Sequence, residues 1–300
     1  MSNIILRPVY NRPEMLFLSI EYEIKAREYF KSSKKYFTDD DYTTIFIVEH
    51  GSHPAVMDFV KRYPYSSAYV ERPEKYGLTV NILEGFKAAF ERADNHVVYI
   101  EDDILIHKTY FEYMDKLLSH PDVGKYSVIS PYNKNNDGNV NKVYKGHHYA
   151  ALAPLIGKDF YETYIRPNSV MEYYKNPPKY VIDLNEKYRE YWGKGGYKYK
   201  DATHYMQAGL LNRLVDIAMI EEESYVIMPE VNRQIHIGYY GANRPGGTIP
   251  GKNFAERLTN LREIIKSGDE MYKHSATKQY NDYLAFSSKL DTWNGTLEII

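Results

Sequence analysis

The run His96-Val97-Val98-Tyr99-Ile100-Glu101-Asp102-Asp103 joins an apolar segment to a charge cluster. Its first five residues read as a buried strand, being short and rich in β-branched and aromatic side chains, as in strands covered on both faces. The three carboxylates that follow repel one another and suit neither a strand nor a helix interior. An acidic cluster at a strand's C-terminal end is where an open α/β sheet places a ligand. The simplest use for it is to hold a hard divalent cation, which takes oxygen ligands and often bridges to phosphates. The alternative is a solvated turn in which Asp103 caps the helix that follows.

The preceding hundred residues alternate regularly. Asn3 to Tyr10 reads as a strand, and Asn11-Arg12-Pro13-Glu14 turns the chain into a helix from Pro13 to Phe30. Asn11 suits the N-cap, Pro13 the first turn, and Glu14 the positive end of the helix. Thr43 to Glu49 is a second strand, Pro54 to Arg62 a short helix, and Ser67 to Glu71 a third strand. After the loop Arg72–Gly77, a helix from Leu78 to Ala93 places Leu78, Ile82, Phe86, Ala89 and Phe90 on one side. Strands alternating with helices imply parallel pairing and right-handed crossovers, hence an α/β fold with a mixed, mostly parallel central sheet flanked by helices. No Gly-x-Gly-x-x-Gly follows the first strand and no Gly-Lys-Ser/Thr loop is present. These absences disfavour dinucleotide-binding and P-loop domains.

Composition sets further bounds. Three hundred residues, 43% of them hydrophobic, suit one large globular α/β domain or two small ones. A net charge of −2 gives no overall pull toward nucleic acid or anionic membrane. With no cysteine there is neither a disulfide framework nor thiol chemistry. No run is long and apolar enough for a membrane span and the N-terminus lacks signal-peptide order, so a cytoplasmic protein is expected. The 32 tyrosines each offer a flat apolar face and a hydroxyl, which suit stacking on a sugar or base, although packing accounts for most of them.

A resemblance emerges from these segments in order. Asn11-Arg12-Pro13-Glu14, Glu49-His50-Gly51-Ser52, Arg72 through Asn81, and Glu101-Asp102-Asp103 resemble the strand-end motifs of GT-A glycosyltransferases. Ser130-Pro131-Tyr132-Asn133-Lys134-Asn135 and Pro229-Glu230-Val231-Asn232-Arg233 resemble later motifs of the same fold. The pattern is similar to the inverting N-acetylglucosaminyltransferase I family and to family 2 glycosyltransferases. It covers about residues 3 to 245; each motif is short, and their order carries the likeness.

The resemblance implies a GT-A catalytic domain over residues 1–250, with a nucleotide-sugar half at 1–103 and an acceptor-binding, catalytic half at 104–250. Residues 251–300 are then a C-terminal helical extension. By the same resemblance, Asp103 is the direct ligand of Mn²⁺ or Mg²⁺, Asp102 lies by ribose or sugar hydroxyls, and Glu101 lies by the sugar. Arg12 and Arg72, with Asn81 nearby, sit on loops that contact the base or diphosphate; the alternative for both arginines is a surface ion pair. Relatives offer an aspartate to uracil where this chain has Glu49, which could make the same hydrogen bond to the nucleotide-sugar with a longer reach, and the departure leaves the base open.

In the second half, Ile104 to Leu118 reads as a helix and Lys125 to Ser130 as a strand. Tyr149–Pro154 is small and apolar: a floor for the donor sugar by resemblance, or simply a tightly packed connection. Asp159 to Ile165 reads as helical, and Ser169 to Lys179 gives no clear pattern. Asp201 precedes an apolar periodic stretch and is the expected general base, with N-cap as the alternative and Asp183 and Glu222 as reserves. Tyr225 to Ile237 reads as one or two strands. His236 is expected as a further metal ligand, or else as a packed strand residue. The Gly/Pro-rich stretch 238–247 could close over a donor. Lys252 to Ser267 is an amphipathic helix, and a further helix is expected before Ile300.

The implied activity is metal-dependent, inverting transfer from a nucleoside-diphosphate donor, a UDP-sugar by resemblance. The acceptor hydroxyl could belong to a glycan, a protein, a lipid-linked sugar or a modified nucleic-acid base. The other readings are a nucleotidyltransferase, which would want a Gly-rich basic loop after the first strand, and a non-catalytic carbohydrate-binding protein.

Overall fold

The expected alternation is present from Asn3 to Tyr99 in the computed structural model, which describes residues 3–33, 42–123, 126–133, 138–146, 149–188, 209–238, 240, 247–267 and 288–300. The elements are β1 (Asn3–Val9), α1 (Pro13–Ser33), β2 (Tyr42–Val48), α2 (Pro54–Lys61), β3 (Ser67–Glu71), α3 (Leu78–Phe90) and β4 (His96–Tyr99). β1 pairs in parallel with β2 on one side and with β4 on the other, and β3 lies outside β2. The chain therefore reverses its direction of travel across the sheet between β1 and β4. Such a switch point opens a crevice at the C-terminal ends of the strands.

Side-chain alternation along the strands sorts the helices. Ile4, Leu6, Ile45 and Ile47 meet Leu83, Phe86, Ala89 and Phe90 of α3 on one face. The opposite face carries α1 and α2: Ile5 and Val98 lie with Ala26 and Phe30, and Val9, Phe46 and Val48 lie with Leu16, Ile20, Val56 and Val60. α3 approaches closely at Gly85, where a Cβ would stand 3.1 Å from both Leu6 and Ile47.

The second half departs from expectation at its start. Ile104–Leu118 is not one helix: it opens as β5 (Ile104–Ile106), and α4 begins only at Tyr110 (Tyr110–Ser119). The Ile-Leu-Ile run pairs with a distant strand, and this tertiary pairing overrides helix propensity. β6 (Tyr126–Ile129), β7 (Lys142–Gly146) and β8 (Leu155–Gly157) follow. Next come α5 (Lys158–Phe160), a π-helical turn Tyr161–Ile165, α6 (Arg166–Asn168), α7 (Met171–Lys175), α8 (Pro177–Lys187) and α9 (Gly209–Glu221). β9 (Tyr225–Pro229), β10 (Gln234–His236), α10 (Phe254–Ser267) and β11 (Glu298–Ile299) complete the order.

The main sheet has nine strands in the order β11-β7-β9-β6-β8-β4-β1-β2-β3. β8 runs antiparallel to both β4 and β6, and β7 antiparallel to β9; the other pairings are parallel. The fold is thus α/β, with a mixed, mostly parallel sheet flanked by helices. β5 and β10 form a separate antiparallel ribbon. The C-terminal residues are not helical throughout, since β11 adds to the edge of the main sheet beside β7. The buried Arg233 lies over the rings of both Trp293, just before β11, and Tyr113.

Several tyrosines act as ties between helices. Tyr164 donates to Glu222, Tyr188 to Glu221 and Tyr174 to Glu84, linking the π-helical turn, α7, α8, α9 and α3. Among the described residues, no helix is long and apolar enough to cross a membrane.

Candidate active site at the sheet switch point

Arg12 follows β1, and Glu101, Asp102 and Asp103 follow β4, so these residues face one another across the switch-point crevice. Arg12 donates through Nε and Nη2 to the two oxygens of Asp102, and through Nη1 to Asp103 Oδ2 at 2.6 Å. The β5–β10 ribbon adds a fifth residue. Its register sets His236 opposite Ile104, and Ile237 N–H donates to the Asp103 carbonyl at 2.8 Å. His236 Nε2 consequently lies 3.2 Å from Asp103 Oδ2. Sequence reasoning named all five residues, and the fold brings them together.

Two oxygen or nitrogen ligands in adjacent positions on an octahedral ion, at about 2.1 Å each, lie about 3 Å apart. The Asp103–His236 spacing fits that. A further observation fits too: a Cβ on Gly238 would fall 2.2 Å from Asp103 Oδ2 and 2.4 Å from His236 Nε2. Any larger residue at 238 would fill the ground that both atoms face. Among the described residues, no group of three His, Cys, Asp or Glu side chains converges to hold a metal ion. A hard cation here would take these two side chains and complete its shell with water or phosphate oxygens, as Mg²⁺ commonly does.

The electrostatics are unbalanced. Burial, and then repulsion from Asp103, push the Glu101 carboxyl up to about 7, although Tyr99 donates to it at 2.7 Å. Asp102 is also raised, by burial first and Asp103 next, with Arg12 opposing. Burial works against the charge on Arg12, but Asp102 and Asp103 outweigh it and hold the guanidinium above the ordinary arginine value. The acid turn is braced from below. Ser19 on α1 donates to the Ile104 carbonyl at 2.5 Å and accepts from Arg7 Nη1 at 3.1 Å.

A second group of expected residues sits at the ends of β2 and β3. Glu49 does not point an unused carboxylate at the crevice. It accepts from the backbone N–H groups of His50, Tyr76 and Gly77 at 2.8–3.0 Å, tying the loop after β3 to the end of β2. Gly77 enters α3 with φ 78°, a conformation suited to glycine. Arg72 Nε donates to Asn81 Oδ1 at 2.8 Å, and its guanidinium lies over the Tyr76 ring. Arg72 Nη2 is buried with no hydrogen-bond partner among the described residues. Lys75 over the Tyr10 ring, and His53 N–H donating to Asn11 Oδ1 at 2.7 Å, join this group to the loop after β1.

The expected base, Asp201, lies outside the described residues. The reserves are in structural contacts: Asp183 pairs with Lys179 on the exposed side of α8, and Glu222 receives the Tyr164 hydroxyl. Sequence reasoning missed Gly238, Ser19 and Arg7. Gly238 begins the Gly/Pro-rich stretch expected to close over a donor, which does not single it out, and the other two are polar residues beside apolar ones.

No protein-family model matches the chain, and no curated protein matches its sequence. Solved structures that superpose on it include residues 1–349 of S. aureus TarS. That match has 11% identity and TM-score 0.41, covering 54% of this chain and 48% of that one. The same TarS segment in complex with UDP-GlcNAc matches at 11% identity and TM-score 0.40, covering 54% and 47%. A nucleoside-diphosphate-sugar pyrophosphorylase from Vibrio cholerae RC9 matches at 13% identity and TM-score 0.36, covering 87% and 99%. The chain spans about half the length of the two TarS structures. At these identities and scores the likenesses carry no functional weight.

Proposed function

We propose that this chain is a cation-dependent glycosyltransferase that takes a nucleoside-diphosphate sugar, a UDP-sugar in the first instance, as donor. One observation carries the reading. A carboxylate and an imidazole 133 residues apart in sequence meet at 3.2 Å in the switch-point crevice, beside a glycine where any side chain would run into both. The order of strand-end motifs described above supports the same reading. When bound, Mn²⁺ or Mg²⁺ would offset charge on a departing diphosphate. In this proposal Asp103 and His236 hold the ion, and Arg12 and Arg72 bind the diphosphate or base, the unpartnered Nη2 of Arg72 being a donor suited to an anionic oxygen. Asp102 and Glu101 meet ribose and sugar hydroxyls. Glu49 and Asn81 position the Arg72 loop.

The reaction proposed is inverting, with Asp201 taking the acceptor hydroxyl's proton as the new bond forms. The acceptor classes are a glycan, a protein, a lipid-linked sugar or a modified base. The test is incubation with UDP-sugars and Mn²⁺. Slow release of UDP, abolished in Asp103→Ala with the fold intact, is expected. Release of pyrophosphate from a nucleoside triphosphate would instead identify a nucleotidyltransferase. UDP affinity in Mn²⁺ that Asp103→Ala leaves unchanged would overturn the site.

A further inference from the structure

Asp103 Oδ2 faces two claims. Arg12 Nη1 stands 2.6 Å from it, and His236 Nε2 stands 3.2 Å from it. The same guanidinium grips both oxygens of Asp102, so its three donor nitrogens are all engaged by the acid turn. Arg12 thereby supplies positive charge at the oxygen a divalent ion would use. A guanidinium and a divalent ion bound to one oxygen would lie within about 5 Å of each other, and like charges at that range repel strongly where water is largely excluded.

We propose that Arg12 and the divalent cation are alternatives at Asp103, so that Arg12 is an internal plug the cation must dislodge. This rests on reading Asp103 and His236 as the cation's ligands. The geometry allows the exchange. The Arg12 backbone is fixed where its carbonyl accepts from Leu16 N–H in the first turn of α1. Its side chain is 24% exposed, whereas that of Asp103 is fully buried. The mobile partner is therefore the arginine, which can swing into the crevice while the acid stays. A displaced guanidinium has lost its carboxylates and needs an anion. The diphosphate of a nucleotide supplies one, because bidentate phosphate recognition suits arginine. Cation and nucleotide then assist each other's binding, each removing a cost the other would face alone. In the absence of nucleotide the plug weakens the cation's hold on the site.

The test uses the intact chain with Mn²⁺ or Mg²⁺ and UDP. Mn²⁺ binding is measured by electron paramagnetic resonance with and without UDP, in the wild type and in Arg12→Gln. Wild type is expected to bind Mn²⁺ at least tenfold more weakly than Arg12→Gln without UDP. UDP should tighten Mn²⁺ binding at least tenfold in wild type and by less than threefold in the variant. Removal of a nearby positive charge alone would tighten Mn²⁺ binding but leave the effect of UDP intact, and that result would overturn the proposal. An independent measurement needs no variant: the Nε–H signal of Arg12 in ¹⁵N-arginine-labelled wild type should shift on saturation with Mg²⁺. Tight Mg²⁺ binding with an unmoved Arg12 signal would overturn the plug while leaving the cation site standing. Failure of both proteins to bind Mn²⁺, with or without UDP, would overturn both.

Discussion

One buried carboxylate, Glu23, and a buried group of three, Glu101, Asp102 and Asp103, lie against β1, and they are balanced in opposite ways. Glu23, on α1, sits between Arg7 and Arg27, accepting at 2.7 and 2.9 Å, and also receives the Tyr63 hydroxyl. Arg27 is in turn bonded to the Tyr42 carbonyl and Thr44. Burial alone would raise the Glu23 carboxyl, but the two arginines overcome it and hold it below the ordinary value. At the end of β4 the proportions are reversed. Arg12 bonds to Asp102 and Asp103, and Glu101 beside them is pushed up to about 7 by burial and then by Asp103. The arginines hold the first carboxyl down, whereas burial and mutual repulsion hold Glu101 and Asp102 up. A surplus of acceptors in a crevice is a place for an added cation, whereas a saturated network is a fixture of the fold. The two touch at Ser19, which receives one donor from Arg7 and braces the acid turn.

The contrast can be broken most directly at Glu23. Glu23→Ala leaves two buried guanidiniums short of a partner and should cost about 3–5 kcal/mol in urea unfolding. The pH dependence has a definite sign. Because the folded carboxyl lies below its unfolded value of 4.5, its contribution is complete above pH 4.5 and is lost as pH falls through the folded value. The stability gap between wild type and Glu23→Gln should therefore narrow between pH 5 and pH 3; a gap that widens would count against the network.

Gly238→Ala should come next, costing about 1–3 kcal/mol from overpacking and removing Mn²⁺ binding at the same time. Retained Mn²⁺ affinity in that variant would mean the ion is held elsewhere. Ser19→Ala should cost about 1 kcal/mol for a lost hydrogen bond and loosen the acid turn, read as a weaker Mn²⁺ affinity at nearly unchanged melting temperature. Asp103→Asn should change stability least, since the oversupplied side of the balance loses a charge, yet it should abolish Mn²⁺ binding. If Asp103→Asn unfolds the protein as readily as Glu23→Ala, the two clusters are alike and the distinction fails.

The first hundred residues were readable because their periodicities are strong and local. Leu78, Ile82, Phe86 and Phe90 repeat at helical spacing, and the strands centre on short apolar runs such as Ile4–Leu6, Ile45–Val48 and Val97–Tyr99. β5, β8 and β11 were not readable, having three, three and two residues. Elements that short exist only through their partners, which sequence does not display. β7, Lys-Val-Tyr-Lys-Gly, hides its pairing behind charges. At the candidate site the acids and Arg12 stand at strand ends where an α/β pattern draws attention. The pairing of Arg12 with Asp102 and Asp103 was hidden, because nothing in the chain says which loops face each other. Glu49 was legible as a polar residue at a strand end, but its three backbone partners depend on how the Arg72–Gly77 loop folds back.

The meeting of Asp103 and His236 has a mechanical consequence. A ligand gripped by both would close a loop of 133 residues, tethering the β5–β10 ribbon to the tip of β4 at the cost of only two side chains. Occupancy would then register as slower hydrogen exchange along Ile104–Ile106 and Gln234–His236, a few residues whose amides would report saturation of the crevice without any turnover.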